Sequence, residues 1–159
     1  MCRHCGRGCL VDKFTACMKF IAQWEWGNRT DGGYTNNPTD TGGETKYGIA
    51  KRSHPKLDIK NLKLADAYAI YKTEYYDSSR AASFDWPMAL AVFDCAVNLG
   101  VDDSDRWLKV TKEFKSFMDL REKKYRRIVE KNPSQAIFLK GWLNRLSNLK
   151  KFADTTIVS

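Results

Sequence analysis

Six of the ten glycines in this 159-residue chain fall between Gly27 and Gly48. That crowding constrains the fold more than any other feature. Glycine lacks a Cβ and tolerates positive φ, so such a block breaks a helix and builds turns. Asn36-Asn37-Pro38 and Gly42-Gly43 add further turn chemistry. Tyr34-Thr35 and the run from Thr45 to Ile49 are the short strand candidates inside it, so a small twisted β-hairpin is expected there.

Outside the block, apolar residues recur at helical spacing. Asp12 is a plausible N-cap for a first helix, with Phe14, Cys17, Met18 and Ile21 on one face and Gly27 as its stop signal. Leu64, Tyr68, Tyr71 and Tyr75 share a face on a second helix, and a third runs from about Trp86 to Leu99 before Gly100. A long helix is predicted near Asp105 to Lys131, with Trp107, Val110, Phe114, Phe117 and Met118 inward and Asn132-Pro133 ending it. Ser134 is read as the cap of a last helix carrying Phe138, Trp142, Leu146 and Leu149. There are no internal repeats and no low-complexity linker. The expected fold class is mostly α, with one small Gly-rich β-hairpin, and a hydrophobic fraction of 43% suffices for a core.

The formal charge is +8, and it is unevenly placed: 14 Lys or Arg against 4 Asp or Glu lie between Arg106 and Lys151. Such a surface favours polyanions, whether nucleic acid, anionic membrane or a bacterial envelope rich in phosphate and carboxylate. Charge alone does not choose among them. No run of about 18 apolar residues is present, so stable membrane insertion is not expected. The first ten residues carry two Arg and three Cys and do not read as a signal peptide. Synthesis in a cytoplasm is therefore expected, with any wall target reached by another route.

Cys2, Cys5 and Cys9 crowd the start around His4, but no second Cys pair follows at zinc-binding spacing. They are read as part of a flexible tail over residues 1–11, and neither a metal nor any other cofactor is expected. Cys17 and Cys95 fall within apolar helical patterns and read as small core residues.

Four carboxylates lie between the first helix and the hairpin: Glu25, Asp31, Asp40 and Glu44. Glu25 comes four residues after Ile21 and seven after Met18, which puts it on the apolar stripe between Trp24 and Trp26. A glycosidase needs a carboxyl group that keeps its proton near neutral pH, and partial burial favours the protonated form. Glu25 fits that requirement. Asp40, in the polar Gly-rich loop, is the candidate ionised partner.

The run from Asp31-Gly32-Gly33-Tyr34 through Asn36-Asn37-Pro38-Thr39-Asp40-Thr41-Gly42-Gly43-Glu44-Thr45 to Tyr47-Gly48-Ile49 closely resembles the signature of glycoside hydrolase family 108. That family comprises phage endolysins and related lysozyme-like muramidases. The likeness continues through Ala67 to Tyr76 and Phe93-Asp94-Cys95-Ala96-Val97-Asn98-Leu99-Gly100, and returns at Phe138 to Arg145. It implies a lysozyme-like fold and hydrolysis of the glycan strands of bacterial peptidoglycan by a Glu acid. An endolysin acting as N-acetylmuramidase would pass from the host cytoplasm to the periplasm and wall through a holin-type pore, as a monomer. The implied layout is a catalytic region over residues 12–100 and a basic helical region over 101–159. The latter is similar to a shortened peptidoglycan-binding region.

The chain departs from the family pattern at its most important point. The family's catalytic Glu directly precedes Gly-Gly-Tyr, where this chain has Asp31. The helix from Phe14 to Trp24 matches the family nonetheless, which places that Glu on Glu25, as though residues 26–31 were inserted. Glu25 is the favoured acid and Asp31 the alternative.

Tyr34, Thr45, Tyr47 and Asn98 are the candidate substrate contacts. For Thr45 and Tyr47, strand propensity is the plainer explanation. Asp94 and Asn98 sit four apart on an otherwise apolar face, as a structural pair or as a polar lip. With His4 and His54 the only histidines, a zinc amidase or peptidase is poorly supported, and His54 reads as a loop residue. A Cys-His peptidase built on Cys95 would bury its nucleophile. A basic nucleic-acid module would account for the charge but not for the hairpin motif, so nucleic acid is not an expected partner. A lytic transglycosylase on the same substrate, and a non-catalytic wall-binding or virion protein, are the alternatives.

Overall fold

The computed structural model describes residues 11–37 and 43–158. The Cys2–Cys9 cluster and Asp40 lie outside them. The first helix, α1 (Lys13–Glu25), starts where its cap predicts: the Asp12 carboxylate accepts the Thr15 N–H at 3.0 Å. Its inward face (Cys17, Met18, Phe20, Ile21) is fully buried. Each such Phe, Met or Ile contributes about 1.5–3 kcal/mol of apolar burial.

The Gly-rich block forms the turns and the small sheet. β1 (Thr45–Lys46) pairs antiparallel with β2 (Ile49–Ala50) through a two-residue turn, and an isolated bridge ties Thr35 to Thr45. The turn residues Tyr47 and Gly48 both have positive φ, at 52° and 75°. This is the backbone signature of the tight turns that follow a strand's right-handed twist.

A short helix, α2 (Leu64–Ile70), passes directly into a π-helical turn over Tyr71–Asp77. The wider register changes which face is apolar. Tyr71 and Tyr76, five apart, are both buried, whereas Leu64, expected on the inward face, is exposed. Beyond it, α3 (Met88–Leu99) buries nine consecutive residues, Met88 to Ala96, and forms the central rod of the core. A helix buried all round has to be apolar all round, and Asp94 is its exception.

The predicted helix from Asp105 to Lys131 is two helices, α4 (Val101–Leu108) and α5 (Phe114–Lys131). The break falls at Val110 and Thr111, where the Thr111 hydroxyl accepts the Glu113 N–H at 3.1 Å and competes with helical bonding. Val110, expected inward, is consequently 71% exposed. The last helix, α6 (Ala136–Thr155), follows a 3₁₀ turn over Pro133–Gln135; Asn132 caps that turn by accepting the Ser134 N–H, and α6 itself has no side-chain cap among the described residues, from Ser134 or any other. The helices α5 and α6 pack on each other and on α3, and α6 also reaches α1. A single hydrophobic cluster thus runs from Cys17 on α1 to Ala153 on α6. Near the chain's two ends, Val11 and Val158 form a parallel bridge. Among the described residues, no helix is long and apolar enough to cross a membrane.

Candidate active site

Glu25 is the last residue of α1, and its side chain is 22% exposed. The hairpin turn stands opposite it. A Cβ added at Gly48 would come within 3.0 Å of the Glu25 Cβ, 3.4 Å of Glu25 Oε2 and 2.4 Å of the Tyr71 hydroxyl. Only glycine fits both this space and this φ. The Tyr71 hydroxyl donates to the Tyr47 carbonyl at 3.0 Å, locking the turn against the π-helix. Trp26, directly after Glu25, packs edge-on against Tyr47 and tilted against Tyr71.

The partner of Glu25 comes from 120 residues away. Glu25 Oε1 accepts a hydrogen bond from Arg145 Nη2 of α6 at 2.8 Å. The Arg145 guanidinium lies over the Trp24 ring and also donates twice to Asp94 Oδ1, from Nε at 3.0 Å and from Nη2 at 2.8 Å. Asp94 Oδ2 meets Arg121 Nη2 of α5 at 2.8 Å. Arg121 Nη2 then reaches the Tyr125 hydroxyl at 3.3 Å, which donates to Asn98 Oδ1. Asp94 and Arg121 are fully buried. Burial drives the Asp94 carboxyl upward, but Arg145 and Arg121 outweigh it and hold the group below its ordinary range. Burial likewise pulls the Arg145 guanidinium down, and Asp94 followed by Glu25 more than reverses this. Both ions therefore stay charged.

Asp31 stands in a different setting. It is half exposed and gripped locally, by the Gly33 N–H at 2.9 Å and by Arg29 through two bonds of 3.1 and 2.7 Å. The Gly33 N–H first, then Arg29, hold its carboxyl below the usual range. Gly32 next to it lets the Tyr47 ring lie against the backbone, where a Cβ would collide at 2.5 Å.

The remaining candidates are distributed around this centre. Tyr34 is half buried and donates its hydroxyl to Glu44 at 2.8 Å. Thr45 sits in the ladder, exchanging two 2.9 Å backbone bonds with Thr35. The Tyr47 ring is buried against Trp26, so packing accounts for it. Asn98 is half buried and bonded to Tyr125, not to Asp94. His54 sits in a turn with Nε2 2.9 Å from Glu74. Cys17 and Cys95 are fully buried, and burial pushes the Cys95 thiol up to about 12, away from any nucleophilic role at neutral pH. Among the described residues, no three His, Cys, Asp or Glu side chains converge as a metal site.

Sequence reasoning missed Arg145 and Arg121. The signal was present: Arg145 follows Phe138 and Trp142 by seven and three residues, and Arg121 follows Phe117 by four. Both thus fall on apolar stripes, as Glu25 does.

The model of the family described as glycosyl hydrolase 108 matches residues 19–100, just over half of the chain and ending where α3 does. The solved structure of Brucella abortus SagA shares the fold with a TM-score of 0.61 at 19% identity, covering 88% of this chain and 92% of that one. No curated protein matches the chain.

Proposed function

Because the chain belongs to glycosyl hydrolase family 108, whose members are lysozyme-like enzymes acting on peptidoglycan, we propose that it is an N-acetylmuramidase with Glu25 as proton donor. The observation that carries this reading is the position of Glu25: at the end of α1, half buried, with Oε2 beside Gly48 of the hairpin turn. Asp31 is the weaker candidate, because it lies half exposed in a polar turn, without the partial burial that favours a protonated donor. Asp40 is the proposed ionised partner, and Tyr34 and Asn98 the proposed sugar contacts. Our proposal extends to biology: an endolysin, active without metal, that reaches the wall through a holin-type pore.

The test is a pair of isosteric changes assayed on purified peptidoglycan. Glu25→Gln keeps shape but removes the transferable proton, and the rate should drop by about 10²–10⁴-fold. Asp31→Asn should leave most activity. The opposite pattern would transfer the role to Asp31. Products should carry reducing muramic acid ends; 1,6-anhydro ends alone would make the enzyme a lytic transglycosylase, and cut peptides with intact glycan would end the glycosidase reading.

A further inference from the structure

Arg145 divides its donors unequally. Two nitrogens are directed at Asp94 Oδ1 and only Nη2 is shared with Glu25 Oε1. Asp94 is fully buried and paired on its other oxygen with Arg121. The guanidinium is therefore fixed from behind, and Glu25 meets a cation already committed to a second anion. Of the two Glu25 oxygens, Oε1 is tied and Oε2 faces Gly48.

We infer that Arg145, anchored by Asp94, is the positioning residue of the Glu25 acid: it pins Oε1 and leaves Oε2 as the oxygen that bears and delivers the proton. The inference rests on Glu25 being the donor. In the step itself, the proton on Oε2 passes to the glycosidic oxygen, and the C1–O bond breaks with its electron pair going to that oxygen. The positive charge is left on the sugar, and Glu25 becomes a carboxylate. That new anion forms next to Arg145, whose charge persists throughout. With Asp94 and Arg121, the four-residue cluster moves from a net charge of about +1 to neutral as the proton leaves. Asp94 keeps the cation from acting on Glu25 alone. The other titratable groups near Glu25 are the Tyr71 and Tyr75 hydroxyls of the π-helix, both raised chiefly by burial and neutral at working pH. The positioning element comes from α6, outside the stretch that matches the family.

The experiment uses the full chain with ¹³C-labelled glutamate, following the Glu25 carboxyl resonance (assigned with Glu25→Gln) across pH, alongside kcat and KM on soluble peptidoglycan glycans. Arg145→Gln should move the titration to higher pH and lower kcat by about 10- to 100-fold, with KM changing far less, as expected when a reacting group is misplaced. Arg145→Lys, which restores charge but not the fork, should titrate near the parent and recover only part of kcat. Asp94→Asn should move the titration to lower pH. A merely structural role would lower thermal stability and leave kcat of the folded fraction unmoved. A kcat within about twofold of the parent in Arg145→Gln would overturn the inference, whatever the titration does; should that variant not fold, full kcat in Arg145→Lys would do so. Retained activity in Glu25→Gln would instead remove the donor assignment, an outcome read separately from these.

Discussion

The turn around Asp31 and the junction around Glu25 both present a carboxylate bonded to an arginine, and they are built in opposite ways. Asp31 is held by residues two positions away on either side, with 53% of its side chain in solvent. Glu25 is held across the whole molecule, by a guanidinium that is itself 8% exposed and shared with a fully buried aspartate. A local grip in water fixes a loop shape and contributes little else. A shared grip in a low-dielectric interior fixes both the position of a charge and the cost of changing it. The hairpin motif thus begins, at Asp31, on a group held only by its own loop, whereas Glu25 is tied into the core.

The contrast can be broken first at Asp94. Asp94→Ala would leave Arg121 and Arg145 buried without their anion, and removing one partner of such a pair costs about 3–5 kcal/mol. For a domain of this size, the melting temperature should fall by roughly 6–20 °C. A small change on calorimetry would mean that the two arginines find water or other partners.

A second probe is Gly48→Ala, which places a methyl at positive φ against the Tyr71 hydroxyl and Glu25. The expected loss is about 1–3 kcal/mol by chemical denaturation, with impaired activity. The same change at Gly27, where a Cβ would meet nothing within 4 Å, carries the φ penalty alone and should spare the site.

Acid should separate the two regions next. The Asp94 carboxyl is depressed in the folded protein, so its stabilisation is fully present above the ordinary value of 3.8. It is lost as pH falls from there through the lower folded value, because the unfolded chain takes up the proton first. Asp94→Asn should flatten the acid limb of a stability–pH curve over that window. Asp31 is depressed in the same direction but stands in solvent, so Asp31→Asn should leave that limb and the melting temperature nearly unchanged. This is the smallest effect expected, and a steep loss there would mean the turn carries more than its local bonds imply.

Much of this was legible in the sequence because it is local. The Asp12 cap, the apolar stripe of α1, the turn-rich block and the anomalous placing of Glu25 depend on spacings of three, four or seven residues. Two features were misread for reasons that are also local but subtler. The π-helical turn shifts the register so that Tyr76 rather than Tyr75 joins Tyr71 on the buried face, and the Thr111 hydroxyl breaks a helix whose apolar spacing would have carried it on. What could not be read was pairing. Arg121 and Arg145 stand among 14 basic residues between Arg106 and Lys151, and periodicity places them on apolar stripes without naming a partner on α3 or α1. A buried charge on a stripe predicts that an opposite charge exists, and only the packing of helices tells which one.

The 120-residue separation of Glu25 and Arg145 also orders events in time. A ribosome makes the carboxylate 120 residues before its guanidinium partner, which lies on the last helix of the described fold. A nascent chain that has completed the matched family stretch, hairpin included, still lacks Arg145 and Arg121 and leaves Asp94 without either cation. Closing so long a loop also carries an entropic cost, one that grows only slowly with loop length. Glu25 thus gains its bond to Arg145 only once α6 is made, and a truncated product that ends before α6 carries the motif without the guanidinium that holds this carboxyl group.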